Sequence, residues 1–371
     1  MPKRSLIRKT SLFIILVTLC TIFAGCKEED VKKGVVVTKW DNYYEEQNIQ
    51  FYYESDKNPK LQQLKNNYKL GDVVKDSKDD FEKAVKLMNW VNSKMKYSKS
   101  SISTKEDALG ILKEAENDNT LSDKDFSIVY SQCAASLGIY ARRGEFRIKN
   151  SQKDGKDSYY KVCEIWSDKY NKWIMLDIVN NCYMEAGGKP LSAVEILDTG
   201  LENVNTKGVK NVKKYIKKIK PYCYSYTIEI DNNIYGTPKS NSFITYSRDK
   251  DLPEIRIEGN QIRPTIFVKN NSLFNKCPRI EYKNDNSDKK VTLIFSKKKS
   301  DENENTKDIA LNGAVFKDSG MLQGYYVSID GKPWIEVNRY FTFTLNNGSN
   351  NIRLSEDKKS VVREVTIEYR K

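Results

Sequence analysis

Helical spacing dominates the apolar pattern of this 371-residue chain early and strand patterning late, and that order bounds the folds open to it. Before about residue 140 apolar side chains recur mainly at helical spacing; beyond about residue 160 they mostly alternate or form short runs bounded by turn residues. Phe81, Val85, Met88, Val91 and Met95 fall on one helix face. A second short helix fits 105–116. A third starts near Ser122, where Asp125 completes a capping box, and it buries Phe126, Val129, Tyr130, Cys133 and Leu137 before Gly138 ends it. Strands are expected at 160–166 and 172–177, separated by the turn residues 167–171. From residue 222 the chain reads almost wholly as strand, at 226–230, 243–246, 291–295, 325–329, 340–345, 351–354 and 365–369, with Asp330-Gly331 as a hairpin turn. Helices first and strands after imply an α+β chain rather than an alternating α/β one.

The length calls for two or three domains, and 39% hydrophobic residues with 23 Tyr and 13 Phe suffice for their cores. The formal charge is +13. Lys3, Arg4, Arg8 and Lys9 hold four of those charges, so +9 remains beyond residue 25. A basic surface suits anionic lipid heads or wall polymers, and it is also what a Lys- and Asn-rich composition gives by default. One basic amphipathic stretch, 208–220, sets Val212, Tyr215, Ile216 and Ile219 on one side and Lys213, Lys214, Lys217, Lys218 and Lys220 elsewhere. It reads as a solvated helix face or as a contact for anionic lipid or polymer. Nothing resembles a nucleic-acid module.

The first 26 residues carry a different signal. After the basic start, an apolar stretch runs over 12–23, too short for the ~20 residues a bilayer needs but right for a cleaved export signal. Phe23-Ala24-Gly25-Cys26 then resembles the lipobox of bacterial lipoproteins, with Phe where Leu is commoner. The resemblance implies cleavage before Cys26 and acylation of its sulfur, placing the chain outside the cytoplasm on the outer face of the cell membrane.

Two counts limit the chemistry. Of seven Cys, Cys133, Cys163, Cys182, Cys223 and Cys277 remain beyond Cys26. They are odd in number and irregular in spacing, without a C-x-x-C pair, so a disulfide framework is not expected. The chain contains no His, which excludes every Ser-His, Cys-His and His-metal arrangement. Neither a metal nor a cofactor is expected.

Residues 58–197 resemble the bacterial transglutaminase-like family, which shares the papain-type fold. Asn89-Trp90-Val91 matches its opening helix, and Ser136-Leu137-Gly138-Ile139-Tyr140-Ala141-Arg142 its central helix end. Cys163-Glu164-Ile165-Trp166-Ser167 with Lys172-Trp173-Ile174-Met175-Leu176-Asp177 matches the paired strands, and the run 188–196 the loop after them. Enzymes of that family use a Cys at the start of the central helix, a His on the next strand and an Asp on the strand after. Those positions here hold Asp123, Tyr160 and Asp177. A carboxylate is a weak acyl nucleophile, and Tyr, with a pKa of ~10, is no ready base at neutral pH. Cys133 and Cys163 fall on stripes expected to be core. The segment 326–354, around Trp334 and Leu345, resembles small immunoglobulin-like modules of bacterial surface proteins.

The expected organisation is a signal peptide over 1–25, a lipidated tether over 26–60, a transglutaminase-like domain over 61–221, a β-rich connector over 222–275 and an immunoglobulin-like sandwich over 276–371. The expected activity is non-covalent binding of a peptide, glycan, wall polymer or surface protein, with no acyl transfer. The alternative is a hydrolase or transferase acting on wall peptide or glycan through the Asp123 and Asp177 carboxylates. Tyr160 is expected to fill the old cleft and to hydrogen-bond Asp177, since both lie on faces that meet in the family. Replacing Cys26 by Ser should abolish incorporation of a fatty-acid probe and either release the protein or leave its signal uncleaved; unchanged labelling would contradict the lipid assignment.

Overall fold

The computed structural model describes residues 34–370 apart from 102, 150–157, 249–251, 256, 259–260, 263, 281–286 and 299–308. The signal segment 1–25 and Cys26 lie outside the described residues. Strand β1 (Gly34–Asp41) comes first. Helices α1 (Pro59–Asn67), α2 (Leu70–Val74), α3 (Asp80–Lys94), α4 (Ala108–Glu116) and α5 (Asp123–Ser136) follow. Then come β2 (Ala141–Arg147), β3 (Tyr159–Ser167), β4 (Lys172–Asp177) and β5 (Cys182–Ala186), and helices α6 (Ala193–Thr199) and α7 (Val212–Ile219). Next are β6 (Ser225–Glu229), β7 (Phe243–Ser247) and β8 (Thr265–Val268). The last group is β9 (Thr292–Lys297), β10 (Ala310–Lys317), β11 (Tyr325–Ile329), β12 (Ile335–Val337), β13 (Tyr340–Thr344), β14 (Gly348–Ser355) and β15 (Arg363–Arg370).

The helices start where side chains satisfy orphan backbone donors. Asn58, Asp79, Asp107 and Ser122 each accept a first-turn N–H, and Ser122 with Asp125 forms the expected capping box. Every residue of α5 from Asp125 to Ser136 is buried, so this helix is a core rod rather than an amphipathic surface helix. Gly138 closes it with φ +75°, a conformation that favours glycine. One face of α5 lies on a nine-stranded sheet in which β8, β7, β6, β2, β3, β4 and β5 are successive neighbours. Cys163, Ile165, Ile174 and Leu176 point to the helical layer, while Val162, Met175, Tyr226 and Ile228 line a second core with α6 and α7.

Two expected boundaries are corrected. The connector 222–275 is no connector: β6 pairs with β2, β7 with β6, and β8 with β7, so these strands complete the transglutaminase-like sheet. Nor is 26–60 a plain tether. β1 pairs antiparallel with β15, from Gly34 opposite Arg370 to Asp41 opposite Glu364, and it buries Val35, Val37 and Trp40. Asn42 extends the tie by exchanging side-chain hydrogen bonds with the Leu293 backbone, at 2.8 and 2.7 Å. The terminal sandwich is therefore discontinuous. One sheet runs β1-β15-β14-β11-β12; the other centres on β10, flanked by β9 and β13, and the two share one core. Within 49–53 the chain makes one isolated bridge, Tyr52 to Asp231.

A fully buried ion pair links the sheet to its surroundings. The Arg142 Nε donates to Glu164 Oε2 at 2.8 Å, and its second amino group also donates to the Phe274 carbonyl at 2.7 Å. Glu164 accepts in addition from the Ala193 N–H at the start of α6 (2.9 Å) and from the Tyr226 hydroxyl (3.0 Å). Tyr226 reaches Glu164 by crossing Gly144, where any Cβ would collide with its ring. The guanidinium sits 4.1 Å from the centroid of the Trp173 ring. Glu164→Ala should destabilise this domain by about 3–5 kcal/mol, because it strands a buried cation. The double replacement Arg142→Met with Glu164→Leu should cost far less. Urea unfolding followed by tryptophan fluorescence distinguishes the two, and equal losses would mean that the pair is not the source.

Candidate functional site

The end of β4 and the start of α5 converge where the three family positions were expected. Asp177, the last residue of β4, is fully buried. Its Oδ2 accepts from the hydroxyls of Tyr160 on β3 and Tyr215 on α7, the latter at 2.9 Å. Its Oδ1 accepts from the Asn180 backbone N–H at 3.0 Å, and the Asn180 side-chain amide lies 3.0 Å from both carboxylate oxygens. That amide also donates to the Tyr160 hydroxyl. Asp177 is thus an acceptor with its sites taken by phenols and amides.

The phenols stay protonated. Burial raises the pKa of Tyr160 and Tyr215 well above the usual value, and the neighbouring Asp177 charge pushes the same way. Both hydroxyls therefore serve as donors to Asp177 at neutral pH. Lys218, on the same helix as Tyr215, lies 5.4 Å over the Tyr160 ring and 5.7 Å over that of Tyr97. The Tyr222 ring also approaches Tyr160, at 5.6 Å between centroids. Tyr160 is buried, and its hydroxyl meets Asp177 as expected.

Asp123 lies at the border of this cluster, near Tyr97. It opens α5, and its carboxylate accepts from the N–H of Lys124 at 2.8 Å and from that of Lys161 at 3.4 Å. Among the described residues, no hydrogen bond joins it to Tyr160 or Asp177. Burial raises its pKa, opposed by the charge of Lys161 and by those two backbone donors. Burial also pushes the thiols of Cys133, Cys163 and Cys182 up beyond the range of a reactive cysteine, and that of Cys223 to about 12. The Cys163 thiol donates to the Ser127 carbonyl at 3.5 Å, a core contact. Among the described residues no group of His, Cys, Asp and Glu could hold a metal ion.

Sequence reasoning missed Asn180, Tyr215, Lys218, Tyr97 and Tyr222. Asn180 had a readable signal, since an Asp three residues before it accepts the backbone N–H of its own turn. Tyr215 had half of one: the amphipathic stretch marked it as inward but said nothing of a carboxylate waiting there. On the outer side, Lys213, Lys214 and Lys217 are exposed, in keeping with a solvated face.

Residues 69–178, a span that includes Asp123, Tyr160 and Asp177, match the transglutaminase-like superfamily and form a transglutaminase-like domain. Among solved structures, the chain resembles a putative cysteine protease from Cytophaga hutchinsonii at 16% identity, with a TM-score of 0.27, over 35% of this chain. It spans 40% of the length of that protein. No curated protein matches the sequence.

Tyr160→Ala should open a cavity and cost about 3 kcal/mol, the scale for truncating a large buried side chain. Tyr160→Phe should cost about 1–2 kcal/mol, for one hydrogen bond to a charged acceptor. Asp123 gives a pH signature. An acid with a raised folded pKa favours folding below its unfolded value of ~3.9 and loses that contribution as pH rises through the folded value. Asp123→Asn should therefore raise the unfolding temperature at neutral pH and leave it unchanged near pH ~3. An equal shift at both pH values would contradict the burial effect.

Proposed function

We propose that this chain is a lipoprotein, held through Cys26 on the outer face of a bacterial cell membrane, whose transglutaminase-like domain binds without catalysing. The observation that carries the reading is the state of Asp177. In an acyl-transfer triad that carboxylate orients an imidazole; here it is saturated by Tyr160, Tyr215 and Asn180, in a chain without His. A thiol route has no support either, because the buried cysteines are held as thiols and no imidazole can activate them. The alternative of a carboxylate-driven hydrolase needs two free carboxyl groups facing one space. Asp177 is fully buried and fully bonded, and Asp123 is tied to backbone donors instead.

The terminal sandwich, with its β1 strand coming from the N-terminal side, suits an immunoglobulin-like surface module that carries the domain at the envelope. Purified residues 27–371 should incorporate no amine into a Gln-containing protein and should release no sugar or peptide from purified cell wall. Amine incorporation blocked by a thiol alkylator would overturn the reading. Wall hydrolysis lost in Asp123→Asn would instead establish the carboxylate enzyme.

A further inference from the structure

At the end of α5 opposite Asp123, two cavities of about 260 and 440 Å³ share Phe51, Tyr53, Tyr140 and Pro278 as lining, so they form one groove. The 14 residues of α5 put it about 21 Å from the filled cleft, at ~1.5 Å per residue. Flat rings dominate it. Tyr53 stacks on Trp173 with centroids 5.6 Å apart and meets Tyr140 edge-on at 5.7 Å. Tyr52 carries Lys239 at 4.9 Å from its ring, and Tyr235 carries Lys60 at 4.8 Å. Amides are interspersed with the rings: Gln50 on one side, Asn58 and Asn233 on the other.

The walls are fixed in advance. Buried Asp231 holds the loop that brings Tyr235 to the groove, accepting from the N–H groups of Asn233 (3.0 Å) and Lys239 (2.7 Å) and from the Asn233 amide (2.7 Å). Glu54 accepts the backbone N–H groups of Ile234 and Tyr235. The opposite wall is tied by Lys276, which donates to the carbonyls of Ile49 (2.8 Å) and Gln47 (3.2 Å), and by Arg279, paired with Asp168. A ligand meeting such a groove orders little on binding.

Its chemistry selects a ligand class. Glu54 is the one carboxylate lining the groove among the described residues; its Oε1 accepts two backbone N–H groups, and Lys239, Lys276 and Arg279 line the same walls, so the lining carries more positive than negative charge and does not favour a cation. An extended peptide adding as a strand would need free backbone groups. Those of Tyr52 already pair with the Ile230 carbonyl (3.0 Å) and the Asn232 N–H (2.9 Å). The lining side chains offer aromatic rings for the C–H faces of sugars, and the amides of Gln50, Asn58 and Asn233 for hydroxyl and acetamido groups. We propose that this groove binds a glycan strand built of N-acetylated sugars. The proposal rests on the envelope reading for where the glycan is met, but binding here is measured without lipid or turnover, so the two fail separately.

The test titrates residues 27–371 with a β-1,4-linked N-acetylglucosamine hexamer, followed by tryptophan fluorescence and calorimetry. Saturable binding is expected, weakened roughly tenfold or more by Tyr140→Ala and by Tyr235→Ala. Thr237 is exposed and lines the groove, so Thr237→Trp should fill it and abolish binding while keeping the wild-type unfolding midpoint. Tyr340→Ala, on the exposed face of the sandwich, should bind as wild type. Absence of saturable binding by the wild type would overturn the proposal, as would unchanged affinity in folded Thr237→Trp. Equal affinity for an unacetylated glucose hexamer, or binding of a proline-rich peptide in place of the sugar, would overturn it too.

Discussion

The buried pair of Arg142 and Glu164 is the constraint around which the larger domain is arranged. Removing both charges from water costs several kcal/mol per ion, and their attraction offsets it only if the remaining donors and acceptors also find partners. Most of those partners come from distant parts of the chain, the Phe274 carbonyl, the Ala193 N–H and the Tyr226 hydroxyl, while the Arg142 Nη1 finds none among the described residues. The pair is tolerable only after β2, β3, β6, α6 and the turn at Phe274 have assembled. This is why β6, with β7 and β8 paired beside it, belongs to the same sheet and not to a separate unit.

The same economy of partners explains the old cleft. A buried carboxylate at the end of β4 must be satisfied whether or not an imidazole is present. The Tyr160 phenol supplies one donor, and α7 brings a second in Tyr215. The Asp177 carboxylate thereby holds a helix against a sheet.

Much of this was legible in the sequence because it is local. The capping box at Ser122 and Asp125 gave the start of α5, and four family-like blocks in order placed Tyr160 opposite Asp177. The features that escaped are non-local. β1 offers Val35, Val37 and Trp40 in a polar segment, with a register shift between Val37 and Lys39 that breaks the alternation, and its partner lies over 300 residues away. β10 escaped for another reason. Gly313 interrupts its apolar pattern, and it is there because the Phe341 ring lies against the backbone and leaves no room for a Cβ. Tyr215 belonged to a helix whose pattern shows which side is buried, not what it meets.

The pairing of β1 with β15 also sets a timetable. A chain made from its N-terminus at about 5–20 residues per second exposes β1 for on the order of 15 to 65 seconds before the last strand exists. In that interval the transglutaminase-like domain, complete once the turn at Phe274 is made, can fold, while Val35 and Trp40 wait uncovered. The sandwich closes last, around a domain already finished, by a contact of very high sequence separation and correspondingly slow formation. Until then β1 is an open edge of the kind that recruits the wrong partner, and its defences are its own: the irregularity at Val37 and the charge of Lys39.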